Sequence, residues 1–220
     1  MNLDKRSPRI AVTGGKGTIG TVLQKGLTDY NVVSLDRPEV DAREYLLLKK
    51  HFVGIDIVIH LAFHSGKNNL YDSDNSLMAF NVYQAALDAK VRRVIMASSV
   101  HADDFQMWKG PEKLTAKNIP VPDSVYGVSK VFMESLGRYY ARQGLEVICV
   151  RFGRVSSTNK APGDDFWENA VWLSNEDCIN MTKTCIDAEK VPDNFAVFYA
   201  VSNNKDRIHD TGNPFGWSPK

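Results

Sequence analysis

The chain has 220 residues, 43% of them hydrophobic and 24% charged, with a formal net charge of +1. That balance suits one well-buried globular domain and removes the electrostatic case for nucleic acid or an anionic membrane surface as a partner. No apolar run nears the roughly 20 residues of a bilayer-crossing helix, MNLDKRSPRI has no signal core, and Cys149, Cys178 and Cys185 lack C-x-x-C spacing, so buried free thiols and a cytoplasmic setting are expected.

The first apolar run, Arg9–Thr13, predicts a strand that stops at TGGKGTIG, with Gly14, Gly15, Gly17 and Gly20. Thr18–Leu27 then reads as a helix with Ile19, Val22, Leu23 and Leu27 inward. Asn31–Leu35 is a second strand, ending at Asp36, and Asp41–Lys50 is helical with Tyr45, Leu46 and Leu48 in phase. Ile55–His60 is a third strand, followed by Leu61-Ala62-Phe63. Ser73–Lys90 predicts a long helix that buries Leu77, Phe80, Val82, Ala85, Ala86 and Ala89. The fourth strand, Arg93–Ala97, ends at Ser98 and Ser99, and 101–122 is irregular.

Ser124–Gly144 has a start signal at Pro122 and Asp123 or Ser124 and a stop at Gly144. Its predicted buried stripe is Val128, Val131, Phe132, Ser135, Leu136 and Tyr139. Glu146–Val150 is a fifth strand; 151–169 is irregular and rich in Gly, Pro, Ser and Asp. Ser174 caps a helix to Lys190 with Cys178, Met181, Cys185 and Ile186 inward, and Phe195–Val201 is a sixth strand.

Apolar strands alternating with helices predict an α/β fold, a parallel sheet covered on both faces. Ligands of such sheets bind beyond the carboxyl ends of the strands, so the irregular segments at about 100–122 and 151–175 are the expected rim of the site. Gly14-x-x-Gly17-x-x-Gly20 directly follows a strand and opens a helix. Gly14 allows the tight turn, Gly17 the approach of a pyrophosphate, and Gly20 close packing of helix on strand. Asp36, 22 residues after Gly14, stands where a carboxylate accepts from an adenosine ribose. That carboxylate favours NAD over NADP. Lys16 and Arg37 would soften the preference if they face the ribose, and are otherwise solvated.

Tyr126 and Lys130 are four apart on one helical face. A phenol beside an ammonium is expected to have its pKa lowered, which suits it to take a proton from an alcohol. Without a cofactor nearby, the same pair would be a core-capping ring and a surface charge. No metal site is expected: His51, His60, His64, His101 and His209 form no ligand cluster in the sequence.

TGGKGTIG, Asp36, the strand end at Ser99 and Tyr126-Gly-Val-Ser-Lys130 together resemble the extended branch of the short-chain dehydrogenase/reductase superfamily, over about the first 155 residues. MASSVH at 96–101, Trp172-Leu-Ser-Asn-Glu-Asp and Phe215-Gly-Trp217-Ser-Pro219 bring it nearest to uronate dehydrogenases and related sugar dehydrogenases. The resemblance implies a Rossmann doubly wound sheet in a single domain, 1–220, with a reduced C-terminal substrate-binding part. It implies a sugar or sugar acid oxidised to a lactone, with Tyr126 as base, Lys130 tuning it and Ser99 holding the hydroxyl; Ser98 is the rival of Ser99.

Cofactor contacts implied by the resemblance are Gly14, Gly17, Thr18, Ile19, Gly20, Asp36, Arg37, Asp41, Ala42, Leu61, Ala62, Phe63, Asn75, Ala97, Tyr126, Lys130 and Phe152. Helix capping is the alternative role for Asp41 and Asn75. Implied substrate contacts are Ser65, Ser99, His101, Tyr126 and Arg154. Val100 replaces the group's asparagine and Arg154 its serine, and Phe166-Trp167-Glu168-Asn169 offers no match for its carboxylate-binding arginine. Either Arg154 supplies that charge from another position, or the substrate is a neutral aldose, a sugar phosphate or another polyol. Trp167 and Trp172 are candidates to stack on a sugar ring, with core packing as the alternative. A homo-oligomer formed through the tyrosine helix and its neighbour is expected by analogy. An NDP-sugar epimerase, disfavoured by the short C-terminal half, and a non-catalytic dinucleotide sensor remain the rival readings.

Overall fold

Residues 7–64 and 72–220 are described by the computed structural model. Six parallel strands, β1 (Arg9–Thr13), β2 (Asn31–Leu35), β3 (Ile57–His60), β4 (Arg93–Ser99), β5 (Glu146–Phe152) and β6 (Phe195–Ala200), form one sheet in the order β2-β1-β3-β4-β5-β6. The chain runs outward from β1 to β2, then returns past β1 to β3. That reversal opens a crevice at the carboxyl ends of β1 and β3. The register Thr13 with His60 and Ser99 with Phe152 brings these ends level.

Side chains of the central strands alternate between two apolar layers, as the period of two requires. Ile10, Val12, Ile57, Ile59, Ile95 and Ile148 face α1 (Thr18–Gly26) and α6 (Asn175–Asp187). Ala11, Val58, Val94, Met96, Val147 and Cys149 face α2 (Tyr45–Phe52), α3 (Ser73–Asp88) and α4 (Val125–Ala141). Each fully buried Val or Ile contributes about 1.5–3 kcal/mol. Ser124 and Ser174 cap α4 and α6 as predicted, accepting from the N–H of Gly127 and Asp177 at 3.1 Å.

Three expectations need correction. α2 starts at Tyr45, not Asp41, because Asp41 is engaged in a turn with Arg43 and Glu44. A short helix, α5 (Phe166–Ala170), interrupts the segment expected to be irregular. The third concerns which faces of α3 and α4 are buried. Leu77, Phe80, Val128, Phe132 and Tyr139 are exposed. Ser135 is exposed too, while Val131 and Leu136 are half-buried. α4 instead buries Gly127, Lys130, Met133, Glu134, Gly137 and Tyr140. The cause is close approach. A Cβ on Gly127 would lie 2.0 Å from the His101 carbonyl oxygen, and one on Gly137 would lie 2.5 Å from the Tyr83 hydroxyl. Small residues let the helix dock, and Lys130 and Glu134 follow them inward.

Candidate active site

The turn after β1 is built on absent side chains. Gly14 has φ +75°, and a Cβ there would lie 2.5 Å from the backbone nitrogen of Ala62. A Cβ on Gly20 would lie 2.3 Å from the Gly15 carbonyl oxygen, so Gly20 serves the packing of α1 on its own turn rather than on the strand. Gly17 is the N-cap of α1, and no side chain caps that end. Its first-turn N–H groups therefore face the crevice, where an anionic group would be held.

Two cavities meet over this turn. One, of about 320 Å³, is lined by Asp36, Arg37, Asp41, Ala42, Ala62 and His64 among others. The other, of about 660 Å³, is lined by Thr18, Ile19, Ala97, Ser99, Tyr126, Lys130 and Phe152, and extends to His101, Arg154, Trp167 and Glu168. Gly14, Gly17, Leu61 and Phe63 border both. Together they give an elongated site in the size range of a bound ligand.

At the end of β2, Asp36 accepts from Ser34 Oγ at 2.6 Å and from the Lys16 N–H at 3.1 Å. Lys16 itself lies 3.8 Å from Glu39 on the surface. The Arg43 guanidinium beside Asp41 holds that carboxyl down at about 2. Asn75 does not cap a helix; Asp72 caps α3. Asn75 lies behind the cavity wall, where its amide donates to the His64 carbonyl and accepts from the His64 N–H, both at 2.8 Å. It thereby fixes the end of β3. Ser65 lies outside the described residues. Among the described residues, His64, Asp72 and Asp74 form the one cluster with metal-ligand chemistry. There His64 is bonded to Asp72, and Arg43 to Asp74.

Around the second cavity, Lys130 Nζ donates to the Ala97 carbonyl at 2.8 Å. It lies 4.5 Å from the centre of the Phe63 ring and 5.3 Å from that of Tyr126. Burial pushes Lys130 down to about 7, against the Glu134 carboxylate, which raises it. Tyr126 departs from expectation. Its pKa is raised, chiefly by burial and further by Asp123, while a hydrogen bond with Ser99 lowers it. The predicted lowering by Lys130 is not seen: its Nζ lies over the rings of Phe63 and Tyr126. Ser99 accepts from the His101 N–H at 3.2 Å. Its rival Ser98 donates to Glu134 inside the protein and is thereby committed elsewhere.

His101 donates from Nδ1 to Asp123 at 2.6 Å and meets Tyr126 edge-on at 5.7 Å. Trp167 lines the cavity. Trp172 is buried and leaves the stacking role to Trp167. Arg154 is not a free cation, because it donates to Glu168. The helix that carries Glu168 gave no periodic signal; its cap, Asp165, was the trace available in the sequence.

Beneath this cavity lies a buried ion cluster. Arg151 donates from Nε and Nη2 to the two carboxylate oxygens of Glu134, at 2.8 Å each, and from Nη1 to Asp103 and to the Tyr199 hydroxyl. Asp103 also accepts from the Val121 N–H at 3.0 Å, which ties down the segment between β4 and α4. Sequence reasoning missed this cluster, because its members lie far apart in the chain.

A glycine-built turn and a tyrosine–lysine cavity at the crevice of a parallel sheet define the class of dinucleotide-binding oxidoreductases. The NAD dependent epimerase/dehydratase family matches residues 10–174, most of the chain, and the protein belongs to that family. It is 34% identical to the L-arabinose 1-dehydrogenase (NAD(P)(+)) of Haloferax volcanii, across 96% of each chain. To the uronate dehydrogenase of Pseudomonas syringae pv. tomato it is 30% identical, across 90% of this chain and 75% of the other. The crystal structure of uronate dehydrogenase from Agrobacterium tumefaciens shares the fold, with a TM-score of 0.84 over 97% of this chain and 85% of that one, at 24% identity. The resemblance to extended short-chain dehydrogenases is thereby borne out.

Proposed function

We propose that the chain oxidises the anomeric hydroxyl of a free sugar or sugar acid to a lactone, with NAD as acceptor. The observation that carries this is the convergence of Ser99, Tyr126 and Lys130 on the cavity adjoining the glycine turn. Dinucleotide fits the site: the start of α1 at Gly17 carries no capping side chain and borders both cavities, and Asp36 lines the adjoining space at the end of β2. NAD, when bound, accepts the hydride lost by the anomeric carbon.

The protein's own part is proton transfer and positioning. Tyr126 Oη takes the hydroxyl proton, and Ser99 donates to the same oxygen as its charge develops. The Tyr126 phenol, raised above its ordinary value, is protonated near neutrality, so turnover is expected to rise on the alkaline side of pH 7. Lys130 holds the floor at Ala97 and the ring of Phe63, and supplies positive charge where the phenolate forms. The segments 100–122 and 151–175 enclose the sugar within the single domain, with His101 offering a ring nitrogen to a hydroxyl. The sugar activities of the two relatives named above support this reading.

NADH formation across a panel of aldoses and uronates tests it. Tyr126→Phe is expected to lower kcat by about 10³-fold while leaving NAD binding intact. If wild type and variant both bind NAD and both stay inert, the protein is a dinucleotide sensor.

We also infer a homodimer through α3 and α4. Leu77, Phe80, Val128, Phe132 and Tyr139 are exposed there, and Phe80 of α3 meets Tyr140 of α4 edge-on. Light scattering of wild type and Phe132→Glu tests this, with loss of a dimer expected in the variant. No helix among the described residues is long and apolar enough to cross a membrane. Three unpaired cysteines support a reducing, cytoplasmic location.

A further inference from the structure

The far wall of the substrate cavity carries one charged pair, Arg154 with Glu168, and both members line the space. Both are fixed from behind. The Arg154 N–H donates to the Val171 carbonyl, and its own carbonyl accepts from Leu173, both at 2.8 Å. The Glu168 N–H donates to Asp165 Oδ1 at 2.9 Å, so the cap of α5 sets where the carboxylate emerges.

Three other basic groups near this wall are engaged. Lys130 is buried and donates to the Ala97 carbonyl. Arg151 is enclosed by Glu134 and Asp103. His101 is held by Asp123. Among the residues that line the cavity, Arg154 is the one guanidinium that a carboxylate or phosphate entering this end meets. That guanidinium already carries an anion, and Asp164 and Asp165 precede that anion by four and three residues in the chain. A like charge placed there raises the free energy of binding. For an uncharged polyol the same wall is well matched. The free guanidinium N–H groups donate to hydroxyl oxygens, and the Glu168 oxygens accept hydroxyl protons.

We propose that this pair restricts the enzyme to uncharged aldoses, with Glu168 as the residue that excludes sugar acids and sugar phosphates. The proposal rests on the dehydrogenase reading above and narrows its substrate class.

The test uses the full chain with NAD and matched sugars that differ only in charge, D-galactose with D-galacturonate and D-glucose with D-glucuronate. Wild type is expected to favour the neutral member in kcat/KM by about 100-fold. Glu168→Gln keeps the shape, frees the guanidinium, and is expected to raise kcat/KM for the uronates about tenfold, mainly through KM. Adding Arg154→Gln should remove that gain, and added salt should weaken it. A gained activity cannot come from misfolding. Wild-type preference for the uronate, or an unchanged ratio in Glu168→Gln, overturns the proposal. Calorimetric titration with the same sugars separates the two readings. If no sugar yields NADH but uronate binding still tightens in Glu168→Gln, the dehydrogenase reading fails and the charge filter stands. If binding does not change either, the filter fails too.

Discussion

The two ends of the elongated cavity are made by opposite means. At the nucleotide end, around Gly14, Gly20 and the start of α1, the site is defined by missing side chains and by a helix start that no side chain among the described residues caps. At the substrate end it is defined by charged side chains held against one another: Arg151 with Glu134 and Asp103 underneath, and Arg154 with Glu168 on the wall. The nucleotide end has little freedom to vary at Gly14 and Gly20, where an added Cβ collides with backbone. The substrate end rests on pairings that can be exchanged one partner at a time, which suits a scaffold that keeps one cofactor and changes its sugar.

The largest test of this contrast is Arg151→Met. It leaves two buried carboxylates without their counter-charge, and the expected loss is about 3–5 kcal/mol of stability, read by denaturant unfolding. Converting Glu134 and Asp103 to their amides in the same chain should restore a good part of it, because pairing rather than charge is what the region needs. Gly14→Ala probes the other end. A methyl group set against Ala62 in a positive-φ turn should cost roughly 2–3 kcal/mol, and no second change nearby should restore it.

Acid titration compares the ends directly. Burial pushes His60, beneath the nucleotide end, and His209, beneath the substrate end, down to about 3, with nearby Lys130 and Arg151 lowering them further. The unfolded chain therefore binds more protons than the folded one between about pH 6.5 and 3. Stability falls as pH drops through that window, by about 1.4 kcal/mol per pH unit for each imidazole. Neither ring nitrogen of His209 has a hydrogen-bond partner among the described residues, and its ring packs on Tyr199 at 4.5 Å. His209→Phe should keep that packing and remove one imidazole's share of the acid slope, measured as Tm against pH. The smallest expected effect is at the rim of the nucleotide end. Asp36→Ala should weaken NAD about tenfold by calorimetry and narrow the preference over NADP.

Legibility in the sequence followed the same division. Strands, glycine turn and the serine caps at 124 and 174 were readable, because period and backbone chemistry are local properties. The buried faces of α3 and α4 were not. Counting apolar residues put Phe132 and Tyr139 inside, whereas Gly127 and Gly137 decide how close the helix lies. Glu168 could not be assigned, since its meaning depends on Arg154, 14 positions earlier in the chain. The pKa of Tyr126 escaped for a related reason. Spacing gives the neighbour at Lys130 but not the surroundings of either group, Lys130 buried and Tyr126 partly open.

The three thiols have a practical consequence. Cys149 belongs to one apolar layer of the sheet, and Cys178 and Cys185 belong to the other. Burial raises all three, the latter two to about 12, so the folded protein withholds them from alkylating reagents. Any labelling marks a transient breach of one layer. Mass spectrometry of the modified peptides would time the two faces of the molecule separately, with no reporter introduced.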